Sequence, residues 1–130
     1  MTTRVGLGVD VHPVADDSAR VLVLGGVRFD GAPGLAGHSA ADVVAHAAAD
    51  ALLGAAGLGD LGSLFPDVDC AVVLEAPRLA PHRLAMQEAL SAAVGAVVSV
   101  KATRPERLGA LGRGEGIGCL AVALVDRVAP

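Results

Sequence analysis

Arg4-Val5-Gly6-Leu7-Gly8-Val9-Asp10-Val11-His12 alternates between apolar and small or polar residues without a break. A period of two is the mark of an extended strand, whose successive side chains leave opposite faces. One face of this strand carries Val5, Leu7, Val9 and Val11; the other carries Gly6, Gly8, Asp10 and His12. Downstream, Arg20–Leu24 and Val27–Phe29 are short apolar runs around Gly25-Gly26 and predict a hairpin. Ser39-Ala40-Ala41-Asp42 has the Ser-x-x-acid form of a helix N-terminus and predicts a helix from about Ala40 to Leu53. Gly54–Asp67 is glycine-rich and reads mostly as loop, and Cys70–Leu74 is a continuous apolar run suited to a buried strand. Pro77 and Pro81 bracket a turn before a second helix, from about His82 to Val94. Val97–Thr103 and Ile117–Val128 read as strands, joined by a glycine-rich loop over Leu108–Gly118. This alternation argues for an α/β or α+β sheet with helices over one face.

The 130 residues suit a single domain over 1–130 with one core. A net charge of -4, with Lys101 the only lysine, disfavours a protein that tracks nucleic-acid phosphates. Hydrophobic residues reach 53% of the chain, yet every apolar run is broken by glycine or charge well before the ~18 residues of a membrane span. The N-terminus runs directly into the first strand without signal-peptide character, so a cytoplasmic location is expected. With two Phe and neither Trp nor Tyr, the core must be filled by Ala, Val and Leu. So thin a core is better buried by self-association, and a homo-oligomer is expected. Cys70 and Cys119 lie in apolar sequence and are expected to be core thiols.

Asp10 and His12 leave the same strand face with Cα atoms about 6.5 Å apart, close enough to share one ion. His38, Asp42, His46 and Asp50 recur every four residues and form a polar seam on the predicted helix, drifting by only ~40° per step. Two histidines and one carboxylate are a common set for a catalytic zinc with one position open. Read from pattern alone, Asp10 paired with a cation and histidines in ordinary hydrogen bonds account for the same residues. Gly112-Arg113-Gly114-Glu115-Gly116 frees the backbone around an arginine suited to phosphate, or around an Arg113–Glu115 ion pair.

Taken in order, Asp10-Val11-His12, His38 to His46, Asp50 to Ala55, Leu58 to Gly62, Phe65-Pro66-Asp67, Lys101-Ala102-Thr103 and Gly112 to Gly116 resemble the 2-C-methyl-D-erythritol 2,4-cyclodiphosphate synthase family over nearly the whole chain. The resemblance implies a mixed four-stranded sheet with helices on one face plus a small hairpin, assembled as a homotrimer with active sites between subunits. It implies one zinc per subunit on Asp10, His12 and His46, and His38 and Ser39 against the substrate diphosphate, with Val11 beside them. Asp60, Leu61, Gly62, Phe65, Pro66 and Asp67 match a loop that holds the erythritol part. Pro77, Arg78, Leu79 and Ala80 match a cytidine pocket contributed by a neighbouring subunit. Glu106 matches the ligand of a second ion, Mg2+ or Mn2+, beside Thr103, Arg104 and Pro105, while Ala110 matches a substrate-binding position and Arg113 an arginine near the trimer axis that meets phosphate. His38 and Arg104 are the residues expected to act on the reacting phosphates. The reaction implied is cyclisation of a cytidine diphosphate substrate with release of CMP, a phosphorus-oxygen lyase step.

This chain departs from the family in three places. Ala40-Ala41 stands where Asp-Gly is usual, Arg104-Pro105 replaces two threonines, and the join Phe65–Cys70 is short where the family carries a further helix. Parallel strands need a crossover of a dozen or more residues, so a segment near Asp67–Asp69 is expected to be either omitted from this chain or deleted from its gene. Two rival functions share the ligand set: a zinc-dependent phosphohydrolase, and a non-catalytic oligomeric module with a closed structural metal site.

Overall fold

The computed structural model describes residues 2–57 and 64–127. In chain order the elements are β1 (Thr2–Pro13), β2 (Val21–Leu24), β3 (Val27–Pro33), α1 (Val43–Ala56), β4 (Leu64–Val73), α2 (Arg83–Val94), β5 (Val98–Thr103), the one-turn α3 (Gly109–Gly112) and β6 (Gly116–Arg127). Four strands form a mixed sheet in the order β1-β6-β4-β5, and β2 and β3 form a separate hairpin. The β1–β6 and β6–β4 pairs are antiparallel and the β4–β5 pair is parallel. This is the expected α+β sheet with helices on one face.

Helix α1 lies directly on β1, and glycine makes that possible. A Cβ on Gly8 would sit 1.9 Å from the Ala47 carbonyl oxygen, and one on Gly6 would sit 1.9 Å from that of Ala51. The glycine face of β1 is therefore the buried one, and Val5, Leu7, Val9 and Val11 lie on the open face. Facing this close contact, α1 presents Ala47, Ala48, Ala51 and Ala55. Behind it, Val68, Cys70 and Val72 of β4 and Val98 and Val100 of β5 complete a core of small aliphatic side chains. Both cysteines are buried and free. A mutual hydrogen bond and burial push the Cys119 thiol far up from its ordinary range, so it stays protonated at neutral pH.

Several boundaries differ from the sequence reading. The N-cap of α1 is Asp42 rather than Ser39: its carboxylate accepts from the Val44 and Ala45 amides, while Ser39 and Ala41 take positive φ in the turn before the helix. A carboxylate that accepts two orphan amides at the start of a helix outcompetes a serine three residues upstream. The same carboxylate accepts from the Gly25 and Gly26 amides, both 2.8 Å away, and so fastens the hairpin turn to the helix. Both glycines have the positive φ that a two-residue hairpin turn demands. Residues 64–67, expected in a loop, are the start of β4 and pair with β6 from Leu64↔Arg127 to Asp67↔Leu124. The topology also supplies its own crossovers: α1 joins β1 to the parallel β4, and α2 joins β4 to β5. Sheet closure therefore needs no additional helix at the join. The expected loop over Leu108–Gly118 contains α3 and the first residues of β6.

Because a methyl group at Gly8 would overlap α1 backbone, Gly8→Ala should cost about 2 kcal/mol or more. Urea unfolding checks this, and a loss under about 0.5 kcal/mol would show that α1 does not depend on the contact.

Candidate metal centre

The contact between α1 and β1 sets a register. Two residues of strand advance about 6.6 Å and four residues of helix about 6 Å, so the elements stay in step as they run antiparallel. Gly6 faces Ala51 and Ala55, Gly8 faces Ala47 and Ala51, and one step further Asp10 meets His46 in the first turn of α1. The Asp10 Oδ2 atom lies 2.9 Å from His12 Nε2 and 3.1 Å from His46 Nδ1. One ligand atom from each of the three lies within 4.8 Å of the others, and this is the group of its kind among the described residues. Gly37 closes the site from the hairpin side: a Cβ there would come within 2.8 Å of the His12 ring, so only glycine lets the loop pass.

The donor set fits a divalent ion. His12 Nε2 is buried and has no hydrogen-bond partner despite its nearness to the Asp10 carboxylate. That geometry suits two donor atoms aimed at a common point rather than at one another. All three side chains keep partial exposure, with His46 the most open at 42%. Cys119 sits opposite Asp10 in β6, and its buried thiol donates to the Leu120 carbonyl.

The expected seam of four polar residues on α1 is not formed as such. His46 enters the centre, Asp50 is solvent-exposed, Asp42 caps the helix and His38 precedes it in an exposed turn. Arg20, which sequence reasoning passed over, holds that turn: its guanidinium donates to the carbonyls of Leu35, Gly37 and Ser39.

The remaining predicted residues lie elsewhere. Thr103 pairs with Val73, Val73 with Gly118 and Gly118 with Val11, so the end of β5 shares the metal end of the sheet but stands three strands away. Three strand spacings are about 14 Å. Arg104 and Glu106 follow Thr103, and Pro77, Arg78, Leu79 and Ala80 line a cleft of about 160 Å³ together with Arg104. Arg113 and Glu115 form the ion pair that was one of the two readings of this segment; Ala110 is exposed on α3. Asp67 is opposite Leu124, which is opposite Val5. Five residues of strand therefore separate its row from Asp10, about 17 Å, and Phe65 and Pro66 lie further out along the same strand. Strand pairing of 64–67 with β6 thus places these residues in β4, away from the metal centre of the same chain. Asp60, Leu61 and Gly62 lie outside the described residues.

The profile of the YgbB family matches residues 3–69 and 66–126. The chain belongs to the YgbB family. A 2-C-methyl-D-erythritol 2,4-cyclodiphosphate synthase of Rubrobacter xylanophilus is 48% identical over 157 aligned positions, covering 95% of each chain. A namesake from Thiobacillus denitrificans is 41% identical, covering 95% of this chain and 97% of its own. Among solved structures, the Plasmodium vivax synthase superposes with a TM-score of 0.88 at 29% identity, covering 98% of this chain and 100% of its own. A Plasmodium falciparum relative, solved as its CDP complex, gives 0.85 at 25% identity, covering 98% and 97%. The two family matches overlap at Pro66–Asp69, and the 157 aligned positions exceed the 130 residues of this chain.

If the three ligand atoms hold one ion, His46→Ala should lower zinc affinity at least a hundredfold, since a two-ligand remnant is a poor zinc site. The helix should persist because alanine is a better helix former. Equilibrium dialysis with circular dichroism checks both, and unchanged zinc retention would remove His46 from the centre.

Proposed function

We propose that this chain cyclises 4-diphosphocytidyl-2-C-methyl-D-erythritol 2-phosphate to 2-C-methyl-D-erythritol 2,4-cyclodiphosphate, releasing CMP. The observation that carries the reading is the Asp10–His12–His46 cluster, formed by a chain 48% identical to a synthase of that name. In this reaction an oxygen of the 2-phosphate bonds to the β-phosphorus. The bond from that phosphorus to the bridging oxygen breaks, and the electron pair leaves with CMP. The nucleophile belongs to the substrate, so the protein's task is to orient two phosphates and offset their charge.

Asp10, His12 and His46 would hold zinc, which when bound polarises a phosphoryl oxygen as a Lewis acid. Three protein ligands suit an open catalytic site better than the closed site of a structural module. His38 and Ser39, in the turn that Arg20 holds, would meet the diphosphate, with His38 donating a hydrogen bond. Glu106 would carry Mg2+ or Mn2+, and Pro77–Ala80 would take the cytidine. Arg104 and Arg113 would face phosphate. CDP complexes of structural relatives support a cytidine diphosphate site.

We also propose a homotrimer with sites shared between subunits. The metal centre lies at the β1 edge of the sheet and the Pro77–Ala80 cleft at its β4–β5 end, three strands away, and a site shared between subunits would bring the centre of one chain to the cleft of another. The open sheet face supports assembly: Val5, Leu7, Val9, Val11, Leu120, Val122 and Leu124 are all more than 40% exposed, as a large apolar patch awaiting a partner would be. Absence of a segment at Pro66–Asp69 is supported by the two overlapping family matches and by the excess aligned length. A cytoplasmic location accords with the sequence reading.

Turnover in water enriched in heavy oxygen tests the chemistry. Cyclisation predicts CMP and cyclic diphosphate in equal amounts with no solvent oxygen in either. One solvent oxygen per turnover would establish the phosphohydrolase instead. Native mass spectrometry tests the assembly and the join together: the expected result is a trimer of 12.8 kDa subunits. A monomer would refute the shared site, and a heavier subunit would refute the deletion.

A further inference from the structure

Glu75 has no part in the function described so far, yet it is the most heavily engaged carboxylate beside the Pro77–Ala80 cleft. Its side chain is only 15% exposed. Oε2 accepts from Arg104 Nε at 3.0 Å and Nη2 at 2.7 Å, and Oε1 accepts from the Arg107 amide at 2.7 Å. One carboxylate thus grips both a side chain and the backbone of the turn after β5. That turn needs gripping. Glu106 and Arg107 are successive residues with φ of 53° and 65°, a left-handed conformation that costs non-glycine residues roughly 1–2 kcal/mol each. Gly112 packs so tightly against it that a Cβ there would meet the Arg107 backbone at 2.3 Å.

Resting on the reading of the cleft as a cytidine diphosphate site, we propose that Glu75 is a positioning residue that fixes Arg104 at the cleft mouth and Glu106 in the adjoining turn for a nucleoside diphosphate. Arg104 is 63% exposed, and an arginine so open would sample many rotamers without an anchor. Gripped through Nε and Nη2, its remaining N–H groups point in a set direction and suit a phosphate. The Arg107 amide, then the Arg104 side chain, hold the Glu75 carboxyl below its ordinary range, so it is an anion at neutral pH.

Calorimetry with CDP on the zinc-loaded protein tests this. Glu75→Gln should raise the dissociation constant about tenfold, because an amide cannot accept from both Arg104 and Arg107 with the strength of an anion. Zinc content should stay unchanged. Arg104→Thr should also raise the dissociation constant, and the double substitution should lose less than the sum of the two singles, since part of the Glu75 effect passes through Arg104. Affinity equal to wild type in Glu75→Gln, or fully additive losses, would overturn the proposal. Should Glu75→Gln not fold, Arg104→Lys keeps the charge and loses the two-point grip. The same loss is then expected, and unchanged affinity overturns the proposal. A wild-type protein that binds no CDP overturns the reading of the cleft itself.

Discussion

The close approach of α1 to β1 is the constraint on which the other features depend. A strand with ordinary side chains at positions 6 and 8 would hold a helix at the usual layer distance; with glycine there, the Ala47 and Ala51 carbonyls come to where a Cβ would be. The contact draws little stability from apolar area, because glycine and alanine have little to bury. What it provides is register. It fixes His46 above Asp10 and sets the strand face that carries His12 towards the helix. Asp42 extends the same rigid unit by capping α1 and binding the hairpin turn.

A second consequence concerns the face turned away from α1. Because the glycine side of β1 is buried, its valines and leucine are left outside, opposite Leu120, Val122 and Leu124 of β6. The β4–β5 half of this face is polar, with Asp69 and Lys101 in an exposed ion pair. An apolar half beside a polar half is better matched to further copies of the chain than to water. In the proposed trimer the Asp10–His12–His46 site of one subunit would be completed by the Pro77–Ala80 cleft of another.

Much of this was legible in the sequence where one local period or one short motif decides the outcome. The alternation over Arg4–His12 identified β1 and paired Asp10 with His12; Gly25-Gly26 identified the hairpin. What was not legible was which face of β1 is buried, since alternation shows two faces and not what covers them. The helix start shifted because Ser39 and Asp42 both suit an N-cap, and only the tertiary contact with Gly25 and Gly26 favours Asp42. Pro66–Asp69 matches the family twice, and the pairing with β6 assigns it to the strand. Arg20 and Glu75 were missed because each binds backbone or side chains distant in sequence, and no local pattern marks them.

Zinc K-edge absorption of the zinc-loaded protein tests the central claim most directly. The predicted first shell contains only light donors, two of them imidazole nitrogens, at about 2.0–2.2 Å. A sulfur shell at about 2.3 Å would place Cys119 or another thiolate on the metal and contradict a centre built from Asp10, His12 and His46.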